Sequence, residues 1–190
     1  MDIIIDAGDV LIESDRLALK GWEESDLDDF FEYASVDGVG EMAGWPRHTS
    51  KDVSKKILDS FITSKNELAI VYKANNKVIG SLGFHPSWAN DEKEYADLKV
   101  KEIGYALSKD YWGRGLVPEA VKAVIAFCFE ERGFDALTCG HFISNNQSKR
   151  VIEKCGFSFV KESEFYAKQL DKTFIVKKYI LLRENQRALG

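Results

Sequence analysis

The sequence predicts a mixed α/β domain built on one largely antiparallel sheet flanked by helices. Three observations carry that reading. Strand-like apolar runs recur at 16–20, 67–73, 77–85, 98–107, 136–143, 157–163 and 174–182. Helical apolar spacing fills the intervals at 25–35, 49–62 and 116–132. The third of these helices lies between two strands, and a strand–helix–strand succession makes those two strands parallel neighbours.

Taken in order, residues 3–5 and 10–12 read as a short hairpin across "DAGD". Arg16–Lys20 alternates as a strand, and "SDLDDFFEYAS" follows as a helix with Ser25 as its N-cap. Residues 36–48 carry loop chemistry. "TSKDVSKKILDSFI" places apolar residues at 53, 57, 58, 61 and 62, a helical spacing. Asn75-Asn76 turns the next two strands into a hairpin. Leu116, Ala120, Val124, Phe127 and Cys128 form one apolar helical stripe. "NQSKRVIEKC" is a short helix closed by Gly156. No repeat or linker interrupts the chain, so it reads as a single domain, 1–190.

Composition narrows the function. The chain has 190 residues, 45% hydrophobic and 12% aromatic, enough for a sizeable core. Its net charge of −5 lacks the basic surplus of a sequence-independent nucleic-acid binder. Three cysteines, Cys128, Cys139 and Cys155, form no paired framework and fit a reduced cytoplasmic protein. The apolar start "III" is flanked by Asp and is no signal peptide. No apolar run approaches the ~20 residues that span a bilayer.

The most informative stretch is "YWGRGLVPEA", Tyr111 to Ala120. The first N–H groups of a helix have no internal partner and carry partial positive charge. Glycine lets the entering loop turn sharply and lets an anion approach the backbone. Pro118 lacks an N–H and suits the first helical turn. The arrangement reads as an anion nest with Arg114 as helper, or as a helix entrance that needs unusual dihedrals. The P-loop pattern is absent, and Pro118 breaks the dinucleotide fingerprint.

"WGRGLVPEA" after a strand resembles the pyrophosphate loop of the GNAT N-acetyltransferase superfamily, whose pattern is [Gln/Arg]-x-x-Gly-x-[Gly/Ala]. Gly113 and Gly115 match, and Asp110 stands at the first position. "NNQSKRVIEKCGF" resembles the Asn-x-x-Ser-x-[Arg/Lys]-x-x-Glu-Lys-x-Gly-Phe segment of the ribosomal-protein N-acetyltransferase branch, through Asn145, Ser148, Arg150, Glu153, Lys154, Gly156 and Phe157. "SDRLALKGWEESDLDDF" and "GWP" at 44–46 also match. The resemblance covers about residues 12 to 182.

The resemblance implies a GNAT fold and acetyl-CoA as co-substrate, with direct transfer of acetyl to a primary amine by a monomer or homodimer. The strand before the glycine loop would splay from its neighbour. The pantetheine arm would bond to backbone around Tyr105, Ala106 and Leu107. The pyrophosphate would sit on amides of Trp112, Gly113, Arg114, Gly115, Leu116 and Val117. Glu102, Gly104 and Ala106 share one strand face, leaving room beside a carboxylate, while Ile103, Tyr105 and Leu107 face the other way.

An α-amine of pKa ~7.8 is roughly 15% neutral at pH 7, whereas a lysine at ~10.4 is about 0.04% neutral, so an α-amine asks less of a base. By resemblance Glu102 is that base, acting through water; the alternative is a carboxylate paired with Lys99 or Lys101. Ser148 stabilises the leaving thiolate or serves helix first-turn chemistry. Asn145 holds the co-substrate or caps the same helix. Tyr166 is a weaker alternative acid. Trp45 is an acceptor platform or an ordinary packed tryptophan, and His85 lines the acceptor pocket or is a surface histidine. His48 and His141 lack metal-ligand spacing, so no metal is expected. The lysine pairs at 55–56 and 177–178 read as solvated faces. A non-catalytic CoA-binding module is the competing class, and a nucleotide-binding domain of another fold is a third.

Overall fold

The computed structural model describes residues 5–187. Its strands are β1 (Leu11–Glu13), β2 (Leu17–Gly21), β3 (Glu67–Tyr72), β4 (Lys77–His85), β5 (Val100–Leu107), β6 (Ala136–Phe142), β7 (Ser158–Ala167) and β8 (Lys172–Leu182). Its α-helices are α1 (Leu27–Ala34), α2 (Lys51–Ser64), α3 (Leu116–Ala126), α4 (Asn146–Lys154) and α5 (Arg183–Arg187). The strands are hydrogen-bonded in the order β1-β2-β3-β4-β5-β6-β8-β7. The β5–β6 pair is parallel, and the pairs β1–β2, β2–β3, β3–β4, β6–β8 and β7–β8 are antiparallel. This is the mixed α/β sheet that the sequence predicts. Among the described residues, no helix is long and apolar enough to cross a membrane.

Backbone packing divides the chain into two compact units. One holds residues 5–83 and 105–120, the other 84–104 and 121–187.

In the first unit, strict alternation makes β2: Leu17 and Leu19 are fully buried, while Ala18 and Lys20 are half-buried. Residues 11–13 pair with this strand, Ile12 opposite Leu19. Residues 3 and 4 of the expected N-terminal hairpin lie outside the described residues. Ser25 is not the cap of α1. It sits inside a tight 3-10 turn, Glu24–Asp26, and the carboxylate of Asp26 accepts from Glu23 N at 2.9 Å and from Lys20 Nζ at 2.8 Å. The longer acidic side chain reaches back across the turn and gains a cation as partner. Phe30, Tyr33 and Ala34, at helical spacing, bury one face of α1. Phe30 packs 5.0 Å from Trp22 and 5.6 Å from Phe61 of α2, giving an aromatic core. Ser50 caps α2 by accepting from Val53 N at 3.3 Å. The β3–β4 hairpin turns through Asn76 in the left-handed region, φ 55°.

In the second unit, β5 and β6 pair at Val100–Glu102 against Ala136–Thr138. From there β6 runs on to Phe142 along β8. Ala89, Val100, Ala136 and Ile180 form a small core with Trp88, Tyr95 and Leu98 against it. Gly156, φ 86°, ends the α4 segment as expected, whereas the five-residue α5 has no signal in the apolar spacing.

The first unit contains one very close backbone approach. A Cβ on Gly80 of β4 would lie 2.3 Å from the carbonyl oxygen of Ala106, and Ser108 N donates to Ile79 O at 2.7 Å. Gly80→Ala therefore forces backbone apart, and we expect a loss of about 1–3 kcal/mol. The midpoint of urea denaturation reads it, and an unchanged midpoint would refute so close an approach.

Candidate active site

The glycine stretch belongs to the first unit. After β5 the chain makes a 3-10 turn, Lys109–Tyr111, and Trp112 is extended. Gly113 and Gly115 both adopt left-handed backbone, φ 75° and 74°, and α3 starts at Leu116. A Cβ on Gly113 would meet nothing within 4 Å, and one on Gly115 only Arg16 Nη2 at 3.8 Å. Crowding is therefore not what selects these glycines. Backbone conformation selects them. Trp112 anchors the loop: its Nε1 donates to Leu107 O at 2.8 Å, and its ring packs on the aromatic core. Arg114 lies across the Tyr111 ring at 5.0 Å and donates through Nη2 to Asp110 O at 2.7 Å.

Ala106, read as lining open space, is buried at 9% exposure and packs with Tyr33, Val71 and Val78. Its end of the strand lies against β4 under the aromatic core. Leu107 is buried as expected, and Tyr105 is only half-buried.

Glu102 belongs to the second unit, where three neighbouring strands build its surroundings. Glu102 pairs with Thr138 across β5–β6, and Gly140, two residues on, pairs with Lys178 across β6–β8. Thr138 Oγ1 donates to Glu102 Oε2 at 3.4 Å, and Lys178 Nζ lies 3.4 Å from Oε1. Ser87 Oγ and Thr138 Oγ1 share a buried hydrogen bond of 2.7 Å, and the Trp88 N–H also points to the carboxylate. Burial raises the Glu102 pKa; Lys178, Thr138 and the Trp88 N–H pull against it without cancelling it.

A cation beside Glu102 is Lys178, which the sequence reading does not offer as its partner. Lys178 was read as a solvated lysine, yet its side chain is 14% exposed. The signal was present in the sequence: Val176, Lys178 and Ile180 share one face of β8, and the first and last are buried.

Gly104 continues the face of Glu102, and a Cβ there would come within 3.3 Å of His85 Nε2. The His85 ring reaches solvent, and the surrounding protein, then Lys101, holds its pKa below the usual 6.5. Glu102, Gly104 and His85 therefore come together on one unit.

Asn145 caps α4, its Oδ1 accepting from Ser148 N at 3.0 Å, and Ser148 is half-buried in the first turn. Tyr166 is exposed on β7 and donates its hydroxyl to Asp171 Oδ1, a bond that raises its pKa and weakens it as an acid. Trp45 belongs to the first unit. It is half-buried, takes its place 2.2 Å from where a Gly40 Cβ would be, and stacks 5.2 Å from His48. Buried His48 meets Ser54 Oγ at 2.7 Å. All three cysteines are buried, which pushes the thiols up, to about 12 for Cys128 and about 11 for Cys155.

Comparison with known proteins follows from this geometry. Residues 16–158 match the family described as the acetyltransferase (GNAT) domain. The chain is 26% identical over 152 residues to "Uncharacterized N-acetyltransferase YoaA" of Bacillus subtilis (strain 168), covering 77% of this chain and 82% of that protein. Its fold is similar to that of a ribosomal-protein-S5-alanine acetyltransferase from Vibrio fischeri, with TM-score 0.69 at 18% identity over 93% of this chain and 98% of that one. It is also similar to a spermidine N-acetyltransferase from Vibrio cholerae solved with CoA and spermine, with TM-score 0.71 at 14% identity over 90% and 98% of the two chains.

The Glu102 surroundings set a pH dependence. Its pKa in the fold is raised above 4.5, so the folded state holds the proton more tightly than the unfolded chain. The contribution of this group to stability therefore falls as pH rises through the window above 4.5. Lys178 limits the rise, and removing it extends the window upward. We expect Lys178→Met to cost on the order of 1 kcal/mol more at pH 8 than at pH 5. Urea denaturation at both values measures this, and an equal loss would rule out charge pairing.

Proposed function

The chain belongs to the acetyltransferase (GNAT) domain family, and from that premise we infer that it transfers an acetyl group from acetyl-CoA to a primary amine. The observation that carries the reading is the left-handed pair Gly113 and Gly115 at the entrance of α3, with open space beside Gly113 and only Arg16 Nη2, at 3.8 Å, beside Gly115. Such backbone turns successive N–H groups toward one side, and together with the first turn of α3 they make a donor set suited to a diphosphate. Gly113 to Val117 supply these amides, since the expected Trp112 N–H already donates to Lys109 O at 3.1 Å in the preceding turn, and Arg114 adds charge at the rim. Backbone of Tyr105, Ala106 and Leu107 would hold the pantetheine.

When bound, acetyl-CoA supplies an activated carbonyl on sulfur. The amine nitrogen forms the new N–C bond, the C–S bond breaks, and one proton leaves the nitrogen. Glu102 receives that proton, through water or directly. Burial suits it to the task, because a carboxylate with a raised pKa is a stronger base, while Lys178 and Thr138 limit that rise. Ser148 offers a hydroxyl hydrogen bond to the departing thiolate, and Asn145 fixes Ser148 by capping its helix. His85, beside Gly104, and Trp45 are assigned to the acceptor. The acceptor is a protein α-amine or a small amine. The two structural relatives named above act on one of each kind, so fold likeness favours neither.

Calorimetric titration tests the reading. The protein binds acetyl-CoA and CoA in preference to ATP or NAD, and the double variant Gly113→Glu, Gly115→Glu abolishes binding. CoA binding that survives in the folded double variant would refute the loop assignment. Glu102→Gln keeps co-substrate binding and lowers kcat by about 10²–10⁴, the usual worth of a general base. Thiol release across a panel of amines and N-terminal peptides measures it, and kcat within threefold of wild type would remove Glu102 from the mechanism.

A further inference from the structure

One side-chain network in the first unit has no role in the account above, yet it ends on the glycine loop. Glu119, in the first turn of α3, receives Ser14 Oγ and Arg16 N on Oε1 at 2.7 and 2.8 Å. Its Oε2 receives Arg16 Nε at 2.7 Å and lies 2.6 Å from Arg16 Nη2. The remaining arm, Arg16 Nη1, donates to the carbonyl oxygen of Arg114 at 3.0 Å. Arg114 is the residue between the two left-handed glycines.

The backbone of Arg16 is itself fixed. Ser14 N donates to Leu17 O at 2.9 Å in the β1–β2 turn, and Lys73 N donates to Arg16 O at 3.0 Å. The guanidinium is thus a rigid fork with one prong pair on Glu119 and one prong on the loop. A flexible ammonium cannot span both. These bonds and the Arg16 pair hold the Glu119 carboxyl below its usual pKa although it is mostly buried, so it is ionised across the physiological range.

We propose that Arg16, clamped by Glu119, is a positioning residue for the coenzyme loop, acting through the peptide between Arg114 and Gly115. A peptide is planar, and no cis bond occurs among the described residues. In a trans peptide the carbonyl and the following N–H point in opposite directions. Drawing the Arg114 carbonyl onto Arg16 therefore turns the Gly115 N–H to the far side of the loop, the orientation an anion nest requires. The glycines give this peptide its freedom to flip, and Arg16 removes that freedom. Preorganised donors bind an anion without the cost of ordering them first. The inference rests on the coenzyme reading of the loop.

The test compares positioning with plain charge. Titrated with CoA, Glu119→Gln removes a negative charge close to an anion site. Electrostatics alone would make it bind CoA more tightly, whereas the clamp predicts weaker binding. We expect Kd for CoA to rise about tenfold in both Glu119→Gln and Arg16→Met, the scale of one lost charge-assisted hydrogen bond. KM for acetyl-CoA follows Kd, kcat falls far less, and Arg16→Lys recovers only part of the affinity. Equal or tighter CoA binding by folded Glu119→Gln overturns the proposal, as does a fall in kcat with KM unmoved. Should Glu119→Gln not fold, Ser14→Ala removes one donor and keeps both charges. Its Kd rises about two- to threefold, and no rise overturns the proposal. Wild-type protein that fails to bind CoA would defeat the coenzyme reading itself, a result distinct from all of these.

Discussion

The coenzyme loop proposed for the first unit depends on one backbone constraint, the left-handed conformation at Gly113 and Gly115. An L side chain resists it, and space does not forbid it. That combination separates a nest from a tight packing turn. At Gly80 or Gly40 the missing Cβ makes room for protein atoms. At Gly113 it makes room for nothing in the chain. The rest of the neighbourhood consists of devices that hold an otherwise pliable loop: the Trp112 indole on Leu107 O, the Arg114 guanidinium on Asp110 O and the Tyr111 ring, and the Arg16–Glu119 pair.

The second unit solves a different problem, keeping a carboxylate usable while most of its hydration is gone. Desolvation favours the protonated form of Glu102, the opposite of what a proposed base needs. A cation in tight bidentate contact would make it too weak a base. Lys178 and Thr138 stand at 3.4 Å, long for hydrogen bonds, and the net shift remains upward. The Thr138 hydroxyl is held in turn by Ser87 and is buried, so one side of the carboxylate meets a fixed dipole while the side chain stays 22% exposed.

Much of this was legible in the chain. Strand and helix positions follow from period two and period 3.6, and the parallel β5–β6 pair follows from the helix between them. The glycine loop and the α4 cap were readable because their chemistry is local: Asn145 and Ser148 are three residues apart. What escaped was long-range or depended on competition. Lys178 lies 76 positions from Glu102, and only the register of three strands joins them. Ser25 has good capping chemistry but loses to Asp26, whose carboxylate also captures Lys20. Ala106 alternates onto the face of Glu102, yet the aromatic core covers that end of the strand. Arg16 carries strand-like alternation and gives no local hint that its side chain leaves the strand for a loop.

The pair of Arg16 with Glu119 joins residues 103 positions apart, more than half the length of the chain. Contacts of such separation bring large entropic cost and are made late as a chain folds. Gly113 and Gly115 can visit their left-handed angles at any time, but the peptide between them is locked only when the β1–β2 turn has been delivered to α3. Affinity for an anion is then a property of the finished unit and not of the glycine motif. On the proposed reading, anion binding by this loop would report that the β1–β2 turn has docked on α3.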